Sequence, residues 1–311
     1  MEENSADVPI IDVSDLLHQK QNDGVSKSMV VERIHEACRT YGFFHVINHG
    51  VGETVIEEAL DVNTQFFHLP MQIKEEFWSD DVEKVVRFGE VGGGGYSRDF
   101  LKLYANPLHQ FLPSWPTLPL LYSLSYILQG KMGLYATEVR KLTIQLFGAI
   151  MESLHLSETH LKQNFEQGIQ ILGVNSFSPC SRSDITTGVL PHTDHTFITL
   201  LLQSGPGLQI MDRGGSWKSV PRLKGSLQVL VGDHLEVLSN GLYKSVLHRV
   251  PSCKDTRLSI ANLHSLGMDE IVEPAGELGN EGRYRGSSLR DFLKHLASRD
   301  TRPFIETLRI N

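Results

Sequence analysis

Apolar residues recur every three or four positions in several stretches of the first half of the chain, a spacing typical of amphipathic helices. The pattern predicts helices over residues 28–41, 56–67 and 120–154. A compact apolar run at residues 43–47, closed by Asn48, His49 and Gly50, indicates a strand followed by a turn. The first half is therefore expected to be mostly helical.

From residue 169 onward the pattern changes to short apolar runs separated by turn residues. Strands are predicted over residues 169–177, 188–194, 197–203, 208–211, 227–231, 245–250 and 257–263. Many short strands at near-regular spacing indicate a β-sandwich, barrel or jelly roll. A last helix is expected over residues 288–296, with a serine at 287 or 288 available as its cap.

Composition narrows the function to small-molecule chemistry. The 311 residues are 40% hydrophobic and 21% charged, as in an ordinary folded globular protein, and the net charge is −8. No basic face is expected for a nucleic acid or an anionic membrane, so neither is an expected partner.

Three cysteines without a CxxC pair argue for a reducing compartment. The acidic start shows no signal-peptide pattern, so a cytoplasmic location is expected. The protein is also expected to be a monomer.

A candidate metal site lies in the β-rich half. His192 and Asp194 are two residues apart, so on a strand both side chains would point to one side. An HxD triplet alone is more often surface decoration or a core histidine. His248, on a later apolar strand, supplies a possible third ligand, although a lone histidine there is more often a hydrogen-bonded core residue. Two histidines and one carboxylate form the facial triad of non-haem Fe(II) oxygenases, and this donor set favours iron over zinc, calcium or magnesium.

Nine residues after His248, Arg257 and Ser259 form another pair with a spacing of two on a predicted strand. A guanidinium fork beside a hydroxyl suits a carboxylate. The alternative is a surface ion pair. The apolar residues that flank the pair instead indicate a partly buried strand, where an arginine needs an anion.

At these positions the sequence resembles the plant-type 2-oxoglutarate and Fe(II)-dependent dioxygenases, a group that includes isopenicillin N synthase and aminocyclopropane-carboxylate oxidase. The resemblance runs nearly end to end through residues 8–12, 41–51, 192–194, 232–233, 238–241, 248 and 257–259. It implies a mixed α and β fold with a double-stranded β-helix, or jelly roll, wrapped by helices. It also implies that His192, Asp194 and His248 bind Fe(II), and that Arg257 and Ser259 bind the distal carboxylate of 2-oxoglutarate.

The resemblance further implies an organisation in four regions. Residues 1–118 form a mixed N-terminal region, residues 119–166 a long helical support, residues 167–286 the catalytic jelly roll, and residues 287–311 a C-terminal helix and tail. O2 is consumed, ascorbate is expected to support the reaction, and succinate and CO2 are co-products. Hydroxylation, desaturation or demethylation of the substrate are all compatible with this chemistry.

Two departures from the family pattern stand at the site. Phe177 replaces a tyrosine that normally adds a hydroxyl contact to the cosubstrate, and Asn175 is the nearest candidate for a replacement donor. Leu263 stands where relatives that act on flavonoids often have phenylalanine.

Residues 97–104 and 263–270 resemble flavanone 3-dioxygenase-like members, which implies an aromatic or polycyclic small-molecule substrate. The candidate pocket residues are Phe88, Phe100, Leu103, Phe177, Leu263 and His264. Two rival functions stay open: an iron oxidase that does not consume 2-oxoglutarate, and a metal- or ligand-binding jelly roll without turnover.

Other conspicuous residues are interpreted as structural. The four glycines at 92–95 lack the lysine of a phosphate-binding loop and are expected to form a mobile lid or linker. His45 and His49 precede a turn and have no expected ligand role. His195 is expected on the strand face opposite Asp194, and Asp233 in a structural turn.

Overall fold

The computed structural model describes residues 5–17, 24–93, 96–116, 122–156, 159–179, 187–251, 255–279, 282–298, 300 and 302–310. Its helices are α1 (Ser14–Leu17), α2 (Gly24–Thr40), α3 (Glu53–Phe67), α4 (Met71–Lys74), α5 (Leu108–Phe111), α6 (Tyr122–Ser153), α7 (Thr159–Gln167), α8 (Asp233–Leu238), α9 (Leu289–Ser298) and α10 (Phe304–Leu308). Its strands are β1 (Ile10–Asp12), β2 (Phe43–Ile47), β3 (Val86–Gly93), β4 (Tyr96–Asn106), β5 (Gln170–Phe177), β6 (Thr187–His192), β7 (Ile198–Gln203), β8 (Gln209–Met211), β9 (Trp217–Ser219), β10 (Leu227–Val231), β11 (His248–Pro251) and β12 (Arg257–His264).

The described strands form two sheets. The large sheet has the order β1-β2-β10-β7-β12-β5-β4-β3, and the small sheet has the order β6-β11-β8-β9. Strands β1 and β2 pair in parallel, whereas the other neighbours within the two sheets pair antiparallel. Strands from the N-terminal third therefore extend the same sheet that the later strands build.

One face of the large sheet packs against the helices. Successive residues of a strand point to opposite faces, so Leu101, Leu172 and Leu200 share the face that enters the main hydrophobic core. Helix α6 crosses this core, and its Phe147 stacks on Phe165 of α7 with ring centroids 3.8 Å apart. This helical layer is the part of the fold that the spacing of apolar residues predicted.

The opposite face of the large sheet faces the small sheet. Phe43, Leu201 and Leu230 of the large sheet share one apolar cluster with Ile210 of the small sheet and with Val246. The two sheets thus enclose an interior, as the jelly-roll prediction requires, and this interior face is the one that carries Arg257. The mixed α and β fold class is confirmed.

The turn between α2 and β2 shows why a glycine stands there. Gly42 has φ +66°, and a Cβ atom on it would lie 2.4 Å from the carbonyl oxygen of Lys244. Only glycine accepts both the left-handed backbone and this close approach. The turn therefore brings β2 directly beside β10.

Several element predictions are confirmed closely and others are wrong. Strands β2 and β10 begin and end at the predicted residues, and α6 matches the predicted long helix within two residues at each end. Gly92 and Gly93, predicted as part of a lid or linker, instead end strand β3 and pair with β4 in a hairpin. Residues 94 and 95 lie outside the described residues. Asp233 does not form a simple turn but begins helix α8.

Candidate metal and cosubstrate site

Two histidines face each other across neighbouring strands of the small sheet. His192 on β6 and His248 on β11 are paired in register, and their ring centroids lie 4.2 Å apart. Asp194 follows the end of β6, and its Oδ1 lies 3.7 Å from Nε2 of His192 and 3.8 Å from Nε2 of His248. The three residues thus bring one ligand atom each within 4.8 Å of one another.

The position of Asp194 corrects one part of the sequence interpretation. The predicted strand over residues 188–194 ends at His192, so Asp194 does not share a strand face with His192 by alternation. Asp194 reaches the same point from the following loop. The convergence therefore depends on how that loop is held.

The hydrogen bonds of both imidazoles fix which nitrogen can bind a metal. Nδ1 of His192 donates to the carbonyl of Leu190 at 2.9 Å, and Nδ1 of His248 donates to the carbonyl of Val246 at 3.0 Å. Because a carbonyl only accepts, Nδ1 carries the proton, and the lone pair of each neutral ring is on Nε2. Both lone pairs lie on the side that faces Asp194.

The charge state of Asp194 completes the donor set. Burial raises the pKa of this carboxyl, but the attraction of the His248 and His192 rings in their protonated form, together with the Thr199 hydroxyl, outweighs burial and holds its pKa below the usual range. Two neutral nitrogens and one carboxylate oxygen are the set that non-haem Fe(II) oxygenases use, and they leave the remaining coordination positions for small molecules. The residues present fit an iron ion.

The loop that carries Asp194 is fastened to the junction of β10 and α8. The backbone N–H groups of Gly232, Asp233 and His234 donate to the carbonyls of Phe197 at 3.0 Å, Asp194 at 2.7 Å and Thr196 at 3.3 Å. The Asp233 side chain is buried and interacts with the hydroxyls of Thr193 and Ser245, while its burial raises its pKa to about 8. Sequence reasoning missed this support, because the contact joins residues about forty positions apart.

Arg257 is buried in the interior between the sheets and held from several sides. Its Nε donates to the carbonyl of Gly205 at 3.4 Å, and its guanidinium donates to the side chain of Gln203, which in turn donates to Gln228. The guanidinium also lies 4.8 Å from the centre of the Phe177 ring. These contacts fix the orientation of the fork, which suits planar recognition of a carboxylate.

The remaining predicted cosubstrate residues lie in the same part of the sheet. Ser259 and Asn175 are register partners on β12 and β5, one row of residues away from Arg257 and Phe177. Oδ1 of Asn175 accepts a hydrogen bond of 3.2 Å from Nη1 of Arg98 on β4. Arg98 was not among the predicted site residues, because it lies between Ser97 and Asp99 in the sequence and no apolar alternation marks it there.

Three of the predicted pocket residues share the interior face with Arg257. Phe100 pairs with Asn175, and Phe177 pairs with Arg257. Leu263, six positions after Arg257, belongs to a small apolar cluster with Leu289 of α9. These three side chains stand on the sheet face that faces the small sheet.

The other three predicted pocket residues point the opposite way, which corrects that part of the interpretation. Phe88 and Leu103 lie on the helix side of the sheet, fully buried in the main core, and the Phe88 ring contacts Phe66 at 6.2 Å. His264 is also fully buried on that side, 6.3 Å from Phe165. Successive residues of a strand point to opposite faces of the sheet. Each of these three residues is an odd number of positions from a residue that faces the interior, so its side chain points to the helix side.

Among the described residues, the other histidines take no part in the metal cluster. His195 is buried and stacks on Phe292 of α9, with ring centroids 3.7 Å apart, so it is neither a surface residue nor a ligand in the described cluster. His45 hydrogen-bonds to Ser226 at 3.0 Å on the far side of β10. The stacking on Phe292 connects the loop next to Asp194 to helix α9.

Sequence comparison identifies two family models in the chain. Residues 168–265 match the 2OG-Fe(II) oxygenase superfamily, and residues 8–113 match the N-terminal region described as non-haem dioxygenase in morphine synthesis. The first match contains all three residues of the metal cluster together with Arg257 and Ser259.

Curated relatives from rice extend the similarity over nearly the whole chain. The chain is 42% identical over 300 residues to 2-oxoglutarate-dependent dioxygenase 21, chloroplastic, covering 93% of this chain and 88% of that protein. It is 40% identical over 312 residues to flavanone 3-dioxygenase 3, covering 97% of this chain and 94% of that protein.

Solved structures agree in fold. A crystal structure of JOX2 in complex with 2OG, Fe and JA superimposes with a TM-score of 0.83 at 26% identity and covers 99% of this chain and 91% of that chain. The rice dioxygenase for auxin oxidation superimposes with a TM-score of 0.79 at 24% identity, over 98% of this chain and 100% of that chain.

Within the described part of the chain, no helix has both the length and the apolar character needed to cross a bilayer. The two family matches, the extent of the similarity to the rice relatives and the His-Asp-His cluster lead to one conclusion. The chain belongs to the 2OG-Fe(II) oxygenase superfamily.

Proposed function

We propose that this dioxygenase hydroxylates, desaturates or demethylates a small aromatic or polycyclic metabolite, with 2-oxoglutarate converted to succinate and CO2. The observation that carries the proposal is the cluster of His192, Asp194 and His248 at one end of an interior that also contains Arg257. Ascorbate would support turnover by keeping the iron reduced.

In this proposal His192, Asp194 and His248 hold Fe(II). The iron supplies the dioxygen-activating redox chemistry that no amino acid side chain provides. The chain itself contributes two pre-oriented Nε2 atoms and an ionised carboxylate. The Nδ1 hydrogen bonds to Leu190 and Val246 keep both rings in the ligating tautomer.

Arg257 and Ser259 are proposed to bind the distal carboxylate of 2-oxoglutarate. Arg257 is only 3% exposed and is held by Gln203 and Gly205, so little side-chain freedom remains to be lost on binding. Asn175 lies beside Ser259 and is proposed to add an amide donor where the family pattern has a tyrosine hydroxyl nearby.

Phe100, Phe177 and Leu263 are proposed to form the apolar wall for the substrate. They share the interior face and stand on three different strands, which gives a broad surface rather than a narrow slot. An aromatic or polycyclic ring would bury apolar area against this surface. The similarity to the rice flavanone 3-dioxygenase supports the same substrate class.

Two other functions are less well supported. An oxidase that does not use 2-oxoglutarate is less well supported, because both rice relatives carry dioxygenase names. A metal-binding jelly roll without turnover would not need ligands that leave open coordination positions.

The test is succinate formation from 2-oxoglutarate by the Fe(II)-loaded protein, with and without members of a library of aromatic metabolites. Substrate-dependent succinate supports the proposal. Oxidation of the organic substrate without succinate formation would indicate the oxidase. The absence of both oxidised substrate and succinate would indicate a binding protein.

Action as a monomer in the cytoplasm is part of the proposal and rests on composition alone. The rice relative described as chloroplastic makes the chloroplast the natural comparison. Cell fractionation separates the two compartments, and analytical ultracentrifugation measures the assembly state.

A further inference from the structure

The β3–β4 hairpin separates its charges between the two faces of the large sheet. Arg98 pairs with Phe177 and therefore lies on the interior face. Lys102 is four residues further along β4 and faces the same side, and Arg87 pairs with Lys102 and shares that face. The acidic residues Glu90 and Asp99 pair with each other on the opposite face. Asp99 forms an ion pair there with Lys74 at 3.2 Å.

Two of the three cations on the interior face lie beside one aromatic ring. The guanidinium carbon of Arg87 lies 5.1 Å from the centre of the Phe100 ring, and that of Arg98 lies 5.9 Å from it. Gly89 makes room for this ring, because a Cβ atom on residue 89 would lie 2.6 Å from it. Like charges on neighbouring side chains destabilise a sheet unless something compensates for them. The ring and a bound anion would both do so.

Arg98 and Arg257 occupy the same cross-strand row, with Phe177 between them. Two strand spacings of about 4.8 Å put their backbones roughly 10 Å apart. The guanidinium of Arg257 lies over Phe177, whereas that of Arg98 turns to the next row and donates to Oδ1 of Asn175. The two arginines therefore serve different places in the interior.

Arg98 stands on a strand that comes close to the metal-binding end. Strand β4 approaches β6, the strand that ends at His192. Lys102, by contrast, donates to the carbonyl of Val82. The neighbouring carboxylates of Asp81 and Glu83 already balance its charge.

We propose that Arg98 binds a carboxylate of the organic substrate, with Phe100 packed against the substrate ring. The inference rests on the proposed function and specifies its substrate class as aromatic acids. The planar guanidinium fork suits a carboxylate, and Arg87 adds positive potential behind Phe100. Asn175 accepts from Arg98 through Oδ1, which orients the guanidinium within the interior.

The experiment uses matched pairs of neutral and anionic probes with the full-length, Fe(II)-loaded protein. Benzoate, cinnamate and 4-coumarate are each compared with their methyl esters for 2-oxoglutarate-dependent succinate formation. The acids are expected to be the better member of each pair by at least ten-fold in kcat/KM. Arg98→Gln is expected to remove that preference by lowering kcat/KM for the acids ten- to a hundred-fold, and Arg98→Lys is expected to restore part of it.

Arg302→Gln provides the matched control, because Arg302 is an exposed arginine paired with Asp300 and lies outside the site. It should keep the wild-type preference for acids. The affinity for 2-oxoglutarate, measured anaerobically from the charge-transfer band of the iron complex, should stay within two-fold of wild type in Arg98→Gln. A preference for the esters, equal turnover of both members, or turnover of none of the acids would overturn the assignment of the substrate class.

A weaker affinity for 2-oxoglutarate in Arg98→Gln, with the acid preference intact, would show that Arg98 only positions Asn175 for the cosubstrate, and would also overturn the proposal. Failure of the proposed function has a different signature. In that case the wild-type protein would show no charge-transfer band with 2-oxoglutarate and no succinate with any compound.

Discussion

The backbone N–H of Asp233 donates a hydrogen bond of 2.7 Å to the carbonyl of Asp194. This bond joins the start of α8 to the loop that carries the carboxylate of the metal cluster. Gly232 directly precedes Asp233, and a Cβ atom on residue 232 would lie 2.0 Å from the carbonyl oxygen of Thr196. The position of Asp194 relative to the two histidines therefore depends on a glycine outside the cluster.

Gly232→Ala is expected to displace the 194–196 loop and weaken Fe(II) binding by at least ten-fold, with a loss of catalytic activity. The added methyl would meet a backbone carbonyl, which cannot move away as a flexible side chain can. Calorimetric titration with Mn(II), a redox-stable substitute for Fe(II), measures the affinity. Gly148→Ala is the control, because nothing lies within 4 Å of that position on α6 and alanine favours a helix. Wild-type affinity in Gly232→Ala would contradict this account.

His248→Ala is expected to abolish turnover and to lower the iron content after reconstitution to a small fraction of one ion per chain. The substitution removes one of three ligands, and the paired His192 and Asp194 alone cannot complete the facial set. Metal analysis and succinate formation are the two measurements. His109→Ala, at an exposed histidine, should behave as wild type. Full iron occupancy with normal rates in His248→Ala would refute the ligand assignment.

Arg257→Lys is expected to raise the apparent KM for 2-oxoglutarate about ten- to a hundred-fold, since a hydrogen bond to a charged group contributes roughly 1.5–3 kcal/mol. The lysine keeps the charge but loses the fork and its contact with the Phe177 ring. Steady-state kinetics should show a much smaller change in the KM for the organic substrate. Equal changes for both compounds would point to a general loss of structure.

The local part of the fold was predictable from sequence, because it follows from the spacing of apolar residues. The α6 helix and the strands β2 and β10 are bounded by clear changes in hydrophobic pattern. The β3–β4 hairpin was missed because its strands mix glycines and charged residues with apolar ones. The alternation along β4 becomes meaningful only once a partner strand such as β5 is known.

The candidate site shows the same division between local and long-range information. The residue types and spacing at His192, Asp194 and Arg257 predicted the chemistry. The sequence could not show that Asp194 reaches the cluster from a loop or that Arg98 meets Asn175. Phe88 and Leu103 were assigned to the pocket for their apolar character, which a core residue shares equally. Distinguishing the two faces of β3 and β4 requires the register of the whole sheet.

Phe177→Tyr is expected to tighten 2-oxoglutarate binding about ten-fold and leave metal affinity unchanged. Phe177 is 1% exposed and lies under the guanidinium of Arg257, so a hydroxyl on its ring would enter the interior beside the cosubstrate site. A hydrogen bond to a charged carboxylate contributes roughly 1.5–3 kcal/mol, provided that the hydroxyl finds it. Because Phe177 also belongs to the proposed apolar wall, a hydroxyl that faces the organic substrate instead of the cosubstrate has no partner, and substrate binding weakens. Anaerobic titration of the charge-transfer band decides between the two, since unchanged or weaker cosubstrate affinity in the tyrosine variant contradicts the prediction.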